Sequence, residues 1–231
     1  MKIGVVIAAG GRGIRFGNAQ PKQFCPIAGK PIVEWTLDRF EACHLINFII
    51  LVVPEGMKKQ AEEKLSLSKY RKLKTIVEGG KERTDSVYEG LCAVDEDTYI
   101  VLIHDGVRPL VSTSLITSVI QQTKIYGAVV PGVPIKETIK EKSKGNLVLK
   151  TLSREKLYLI QTPQGFKYEL IKNAHKMARS SNLKQSDDAG ILEKLGEKVY
   201  IIPGEEKNIK ITTCFDFKLA EMLLKEEQKK I

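Results

Sequence analysis

The chain has 231 residues, 42% of them hydrophobic and 28% charged, so it can bury a sizeable core and is not globally disordered. This length fits one large domain, which we predict over residues 1–231. The net charge of +9 favours an anionic partner, either nucleic acid or a phosphorylated small molecule.

Apolar runs and helical spacings alternate along the chain. Continuous apolar runs, rich in β-branched residues, predict buried strands at 3–7, 48–53, 75–77, 99–103 and 128–133. Helical spacing lies between them, at 32–43, 57–67, 84–94 and 114–126. This alternation predicts an α/β fold with a doubly wound, mostly parallel sheet covered on both faces.

The pattern changes over residues 136–158, here called the arm. Polar and apolar residues alternate there around Gly145 and Asn146, which predicts a projecting β-hairpin with Thr138 on its outgoing strand and Arg154 on its returning strand. Beyond it we expect a turn at 162–165, helices at 168–179 and 188–195, a strand at 198–202 and a closing helix from Phe215.

Several function classes lose support at this stage. No apolar run approaches the ~18–20 residues of a membrane span, and the short first run is too brief for a signal peptide. The cysteines and histidines are all isolated, so no zinc site is expected. Reduced thiols and the absence of a leader predict a cytoplasmic protein. Scattered charge and 6% aromatic residues disfavour a nucleic-acid-binding module.

A glycine-rich loop follows the first predicted strand. The sequence from Ala8 to Gly17 is AAGGRGIRFG, in which glycines let backbone N–H groups approach a phosphate and two arginines add positive charge. It matches neither the P-loop pattern nor Gly-x-Gly-x-x-Gly, which disfavours a nicotinamide-binding protein. Lys22, stiffened by Pro21, is a candidate point charge for a polyphosphate.

Six motifs in order carry a family resemblance. They are AAGG-x-G-x-RF from Ala8, PKQF from Pro21, GGKERTDSV from Gly79, HDGVRP from His104, TPQGF from Thr162 and NIKIT from Asn208. Together with GKPI at Gly29 they resemble the 2-C-methyl-D-erythritol 4-phosphate cytidylyltransferase family of the non-mevalonate isoprenoid pathway. The resemblance implies a sugar-phosphate nucleotidyltransferase fold, transfer of CMP from CTP to that acceptor with release of pyrophosphate, and a Mg²⁺ cofactor.

The same resemblance implies roles for individual residues. Catalytic roles fall on Arg15, Lys22, Arg154 and Lys210. Nucleotide binding falls on Ala8, Ala9, Gly10, Gly11, Gly13, Gly80, Ser86 and Asp105, with Asp105 also the Mg²⁺ ligand and Gly80 and Ser86 at the cytosine base. Acceptor binding falls on Arg108, Thr138, Arg154 and Lys210.

This set suits the chemistry of nucleotidyl transfer. Several negative charges meet in one site, so catalysis depends mainly on charge neutralisation and in-line positioning. A phosphate monoester is already anionic near pH 7, which explains why no general base, cysteine or histidine is needed. The glycine loop is one residue longer than the commonest family form, so Arg12 could share the role of Arg15.

Three alternatives stay open at this point. A ribitol 5-phosphate cytidylyltransferase shares most of these motifs, although residues 134–140 and 186–189 look more like the erythritol enzymes. A basic nucleic-acid-binding module would need a continuous cationic stripe. A nucleotide sensor without catalysis would not need the full cationic set.

Exposed apolar residues on the arm, together with the family resemblance, predict a homodimer built through it.

Overall fold

The computed structural model describes residues 1–11, 21–181, 183 and 185–229. In these residues the strands are, in chain order, β1 Lys2–Ala8, β2 Pro26–Ile27, β3 Lys30–Pro31, β4 Phe48–Val53, β5 Leu73–Glu78, β6 Thr98–Asp105, β7 Ala128–Pro134, β8 Ile139–Lys142, β9 Val148–Leu152, β10 Tyr158–Ile160, β11 Gln164–Lys167 and β12 Tyr200–Pro203. The α-helices are α1 Ile32–Ala42, α2 Lys58–Lys64, α3 Arg83–Cys92, α4 Thr113–Tyr126, α5 Tyr168–Ser180, α6 Asp188–Lys194 and α7 Cys214–Gln228.

The central sheet has the order β10-β7-β11-β6-β1-β4-β5, with β12 also paired to β7. Strands β5, β4, β1 and β6 are parallel, and β12 is parallel to β7. Strands β10 and β11 run antiparallel to their neighbours. The predicted α/β class with a mostly parallel sheet is therefore confirmed, and the sheet is mixed.

Helices cover both faces of this sheet because side chains alternate along each strand. On β1, Val5 points into a core that includes residues of α1 and α4, such as Phe40. Its neighbour Val6 points into the opposite core with Val87 of α3 and Ile171 of α5. Burial on both faces explains why β1 and β4 are almost unbroken apolar runs.

One predicted element is wrong. The sequence at 162–165 predicts a turn, but Gln164 and Gly165 begin β11, which lies in the middle of the sheet between β6 and β7. The glycine serves close packing there, because a Cβ at position 165 would lie 2.2 Å from Thr123 Oγ1 and 2.7 Å from Val119 Cγ1 of α4. Strand β10 at the sheet edge was also not predicted.

The arm contains a two-stranded antiparallel sheet of its own, formed by β8 and β9. Ser143 N donates to Leu147 O across its turn, and Asn146 adopts a left-handed conformation with φ 64°. The hairpin is confirmed, but two residues fall outside its strands. Thr138 precedes β8, and Arg154 begins a short 3₁₀ turn after β9.

None of the helices in the described residues has the length and apolar character that crossing a membrane requires.

Helix α7 closes the fold with a capping box. Thr213 Oγ1 accepts from Asp216 N, while one oxygen of Asp216 accepts from Thr212 N at 2.8 Å, Thr212 Oγ1 at 2.6 Å and Thr213 N at 2.8 Å. Partial burial raises the pKa of Asp216, but these hydrogen bonds outweigh it and hold the pKa below its ordinary value.

We predict that Asp216→Ala lowers the free energy of unfolding by about 0.5–2 kcal/mol at pH 7, because it removes the acceptor of the capping box. Since the folded pKa of Asp216 lies below the unfolded one, its contribution is complete above the unfolded pKa and disappears as the pH falls through the folded pKa. Urea unfolding of both proteins between pH 7 and pH 3.5 measures this. A difference in unfolding free energy that does not narrow toward the lowest pH would contradict the assignment.

Candidate active site

A cleft of about 750 Å³ opens at the carboxyl ends of the parallel strands. Ligands bind at this edge in open α/β sheets, because the loops leaving neighbouring strands meet there. It is lined by Ala8, Ala9, Gly10, Gly11, Lys22, Gln23, Glu55, Gly80, Lys81, Glu82, Arg83, Ser86, Asp105, Val107, Lys210 and Thr212. Nine of the predicted site residues thus meet in one cleft: Ala8, Ala9, Gly10, Gly11, Lys22, Gly80, Ser86, Asp105 and Lys210.

The buried side chain of Ser86 shapes one wall of the cleft. Its hydroxyl donates to Glu82 O at 3.1 Å, and the backbone of two glycines packs against it. A Cβ at Gly10 would lie 2.7 Å from Ser86 Oγ, and one at Gly79 only 2.4 Å from it. Glycine is therefore required here by close approach to a serine, in addition to any need for phosphate access.

Lys22 and Gln23 connect the glycine segment after β1 with the segment that carries Lys210. Gln23 is buried, and its Nε2 donates to Ala9 O at 2.6 Å and to Gly11 O at 2.9 Å. Lys22 Nζ donates to Ile211 O at 2.8 Å, which connects this block to the segment bearing Lys210. Sequence reasoning missed Gln23, although it lies inside a quoted motif, because its role depends on carbonyls outside that motif.

The carboxylate of Asp105 lies among three cations. Lys210 Nζ is 2.9 Å from Oδ2, Arg108 Nε is 3.4 Å from Oδ2, and Arg83 Nε is 3.3 Å from Oδ1. Burial alone raises the pKa of Asp105, but Arg83, Lys210 and Arg108 outweigh it and hold that pKa far below its ordinary range. Asp105 is therefore an anion at any physiological pH.

A neutral histidine supports the backbone of Asp105. Thr162 Oγ1 accepts from Asp105 N at 3.1 Å and lies 3.0 Å from His104 Nδ1, while His104 Nε2 lies 3.2 Å from Arg108 O. A carbonyl only accepts, so Nε2 carries the proton and Nδ1 accepts from the threonine hydroxyl. Burial lowers the pKa of His104 to about 3, which keeps the ring neutral.

Three predicted acceptor-binding residues do not line the cleft within the described part of the chain. Arg108 is buried in the wall, where its Nη1 donates to Asn208 O at 2.8 Å. Thr138 and Arg154 are exposed on the arm, and Arg154 Nη1 donates to Lys136 O at 2.8 Å. Gly13 and Arg15, as well as Arg12, lie outside the described residues.

Arg83 is the most informative residue that the sequence did not single out. It begins α3, directly after the loop that follows β5, and its guanidinium contacts both Asp105 and Asp188. It stands in the same motif as Gly80 and Ser86, but nothing in the linear sequence connects it to carboxylates 22 and 105 residues away. Glu55, Lys81, Glu82, Val107 and Thr212 were missed for a similar reason.

The acidic residues of the cleft determine whether it can bind a metal ion. Among the described residues no group of three or more His, Cys, Asp or Glu side chains could hold a metal ion. Mg²⁺, however, is commonly bound by one or two carboxylates together with substrate phosphates and water. The single buried carboxylate of Asp105 fits such a site.

The comparisons with known proteins agree on one family. A family model described as IspD, 2-C-methyl-D-erythritol 4-phosphate cytidylyltransferase, matches residues 3–226. A relative of that name from Pelotomaculum thermopropionicum is 44% identical over 98% of this chain and 96% of its own length. Another from Clostridium perfringens is 45% identical over 97% and 99%.

Solved structures give the same result. A 4-diphosphocytidyl-2C-methyl-D-erythritol synthase from Anaerococcus prevotii superposes with a TM-score of 0.84 and 33% identity, covering 97% of this chain and 98% of the other. A 2-C-methyl-D-erythritol 4-phosphate cytidylyltransferase from Thermus thermophilus gives 0.80 and 32%, covering 97% and 100%.

The packing around Ser86 yields a prediction. Gly79→Ala should lower the free energy of unfolding by about 1–3 kcal/mol, because the new methyl group meets Ser86 Cβ at 2.9 Å and Val52 Cγ1 at 3.2 Å as well as the hydroxyl. The matched control is Gly11→Ala, where a Cβ would meet nothing within 4 Å. Denaturant unfolding of the two variants checks this, and equal stabilities would contradict it.

Proposed function

The chain belongs to the 2-C-methyl-D-erythritol 4-phosphate cytidylyltransferase family, and from that premise we propose how the residues of its cleft carry out the reaction. The enzyme transfers CMP from CTP to 2-C-methyl-D-erythritol 4-phosphate in isoprenoid precursor biosynthesis. A phosphate oxygen of the acceptor attacks the α-phosphorus of CTP. That P–O bond forms as the bond to the β-phosphate breaks, and pyrophosphate leaves.

The observation that carries this proposal is the cationic cleft around Asp105. Lys22, Arg83 and Lys210 line it, and the glycine segment Gly10–Gly11 borders it. Attack of one phosphate on another requires compensation of several negative charges, and preorganised cations in a partly buried cleft supply it. No described residue needs to act as a general base, because the attacking phosphate is already ionised.

We assign the nucleotide to the part of the cleft between β1 and α3. Ala8, Ala9, Gly10 and Gly11 border the triphosphate. The family resemblance gives the same role to Gly13, which lies outside the described residues. The backbone of Gly80 and the hydroxyl of Ser86 contact the cytosine base, since a donor and acceptor pair can separate cytosine from uracil. The hydroxyl of Ser86, which lines the cleft, donates its proton to Glu82 O. Its oxygen can therefore still accept a hydrogen bond from the base.

We assign the phosphate charges to two groups of cations. Lys22 and Arg15 stabilise the triphosphate and the charge that develops at the α-phosphorus. Lys210, which lies in the cleft beside Asp105, meets the acceptor phosphate together with Arg154 and Thr138 of the arm. Arg108 acts from behind the wall: its guanidinium orders Asp105 and the Asn208 carbonyl rather than facing the acceptor.

We propose Mg²⁺ as the cofactor and Asp105 as its protein ligand. When bound there, the ion would neutralise phosphate oxygens of CTP and hold them in line. The single buried carboxylate, with phosphates and water as the other ligands, supports this choice over a zinc site.

We also propose a homodimer in which each arm completes the cleft of the partner. The side chains of Leu147, Val148 and Leu149 on the hairpin are each more than half exposed. A two-stranded hairpin is at best marginally stable alone in water, and an exposed apolar patch of this kind marks an interaction surface. Arg154 and Thr138 do not line the cleft of their own chain within the described residues, which supports their use across a dimer.

The four free cysteines support a cytoplasmic location.

The first experiment is a product assay with two acceptors. CTP and 2-C-methyl-D-erythritol 4-phosphate should give the cytidylylated product and pyrophosphate, whereas ribitol 5-phosphate should be used far more slowly. Adding EDTA should abolish product formation, and excess Mg²⁺ should restore it. Faster use of ribitol 5-phosphate would overturn the acceptor assignment, and full activity in EDTA would overturn the cofactor.

The second experiment separates the two lysines. Lys22→Ala should lower kcat by about 10²–10³-fold, since it removes charge aimed at the transition state. Lys210→Ala should impair use of the acceptor while calorimetry shows nearly unchanged CTP affinity. Lys207→Ala, an exposed lysine near Lys210, is the matched control and should behave as the wild type. Loss of CTP affinity in Lys210→Ala would mean that this lysine serves the nucleotide.

The third experiment concerns assembly. Light scattering at micromolar concentration should give twice the chain mass, and deletion of residues 142–149 should give a monomer with little activity. Met222→Gln removes an exposed apolar side chain from α7 instead, and should leave the dimer intact. A fully active monomer, or a dimer that survives the deletion, would rule out this role of the arm.

A further inference from the structure

A buried carboxylate lies behind the cleft, outside its lining. Asp188, in the first turn of α6, is fully buried, and its Oδ2 is 2.8 Å from Nη2 of Arg83. Its Oδ1 is 3.1 Å from Nε2 of His175 on α5. Burying a carboxylate is costly unless it is paired, so both partners are needed to hold it there.

Helix capping does not account for Asp188. The N-cap of α6 is its neighbour Asp187, whose Oδ1 accepts from Gly190 N at 3.0 Å. Asp187 also accepts from Gln164 Nε2 at 2.7 Å. Asp188 therefore has a role other than capping, and its contact with Arg83 connects it to the cleft.

Arg83 is shared unequally between two carboxylates. Its Nη2 lies 2.8 Å from Asp188 Oδ2 as an ion pair without hydrogen-bond geometry, whereas its Nε donates a hydrogen bond to Asp105 Oδ1 at the longer distance of 3.3 Å. Its Nη1 is buried and has no hydrogen-bond partner among the described residues. Arginine prefers a bidentate pair with one carboxylate, so a guanidinium divided in this way is held out of its best arrangement with Asp105.

We propose that Asp188 is a positioning residue that acts through Arg83: it draws the guanidinium away from Asp105 and so keeps the Asp105 carboxylate available in the cleft. The inference rests on the proposed function, in which Asp105 binds Mg²⁺ with CTP. Without the charge of Asp188, Arg83 has Asp105 as its nearest carboxylate and pairs with it more closely. Asp105 then has less capacity for the cation.

The test is Asp188→Asn, which keeps the shape and removes the charge. Calorimetry measures CTP affinity with and without Mg²⁺ for the wild type and the variant. We expect nearly unchanged affinity without Mg²⁺, and a gain on adding Mg²⁺ that is about tenfold smaller in the variant, which corresponds to about 1.4 kcal/mol. Asp187→Asn removes a charge from the same helix start and is the matched control, with a gain like that of the wild type.

A double-mutant cycle separates positioning from general damage. If Asp188 acts through Arg83, Asp188→Asn in an Arg83→Gln background should change the Mg²⁺-dependent gain by less than about twofold. An equal loss in both backgrounds would overturn the proposal, as would an unchanged gain in the single variant. A wild type that forms no product from CTP and the acceptor would instead count against the proposed function.

A second variant covers the case in which Asp188→Asn does not fold. Arg83→Lys keeps the positive charge, but one ammonium group cannot reach both carboxylates in the way that the guanidinium does. The gain is the ratio of the CTP affinities with and without Mg²⁺, so any loss of affinity common to both conditions cancels, and the same reduced gain is expected. A wild-type gain in Arg83→Lys would overturn the proposal.

Discussion

The buried anion at the end of β6 is the constraint on which the cleft depends. Asp105 retains its charge only because cations from three separate segments converge on it: Arg83 from α3, Arg108 from the turn after β6, and Lys210 from the segment before α7. A carboxylate this well buried needs such partners. Each partner is also an anchor for its own segment, so the same contacts that stabilise the charge bring together parts of the chain that are over a hundred residues apart.

The cations around Asp105 differ in whether their side chains face the cleft. Arg108 is enclosed in the wall and bonds a backbone carbonyl, so it serves the architecture of the site. Lys210 and Arg83 line the cleft and can also meet a ligand. Ser86 and the small residues Ala8, Ala9, Gly10 and Gly80 contribute a part of the lining without bulky side chains. The cleft thus combines cationic side chains with a surface of small residues.

Much of this could be predicted from the sequence, and the exceptions have physical causes. Buried parallel strands such as β4 are unbroken apolar runs, so their limits were predicted almost to the residue. The composition of Pro163, Gln164 and Gly165 predicts a turn where β11 begins, and only packing against α4 explains the glycine. Motif residues in the cleft were found by resemblance, whereas the contact between Arg83 and Asp188 arises from tertiary structure and has no signature in spacing.

The central position of β11 also governs the order in which the sheet can be assembled. Strands β1, β4, β5 and β6 occupy neighbouring places and are all synthesised by Asp105, so this half can pair early. Strand β7 follows soon after, yet it has no place beside β6 until residues 164–167 emerge and fill the gap between them. Pairings this distant in sequence are slow to form, because loop closure must precede the contacts that reward it. A ribosome-bound chain ending shortly before Gln164 would therefore carry an unpaired apolar edge on β6, the kind of surface that chaperones bind and that aggregates when left uncovered.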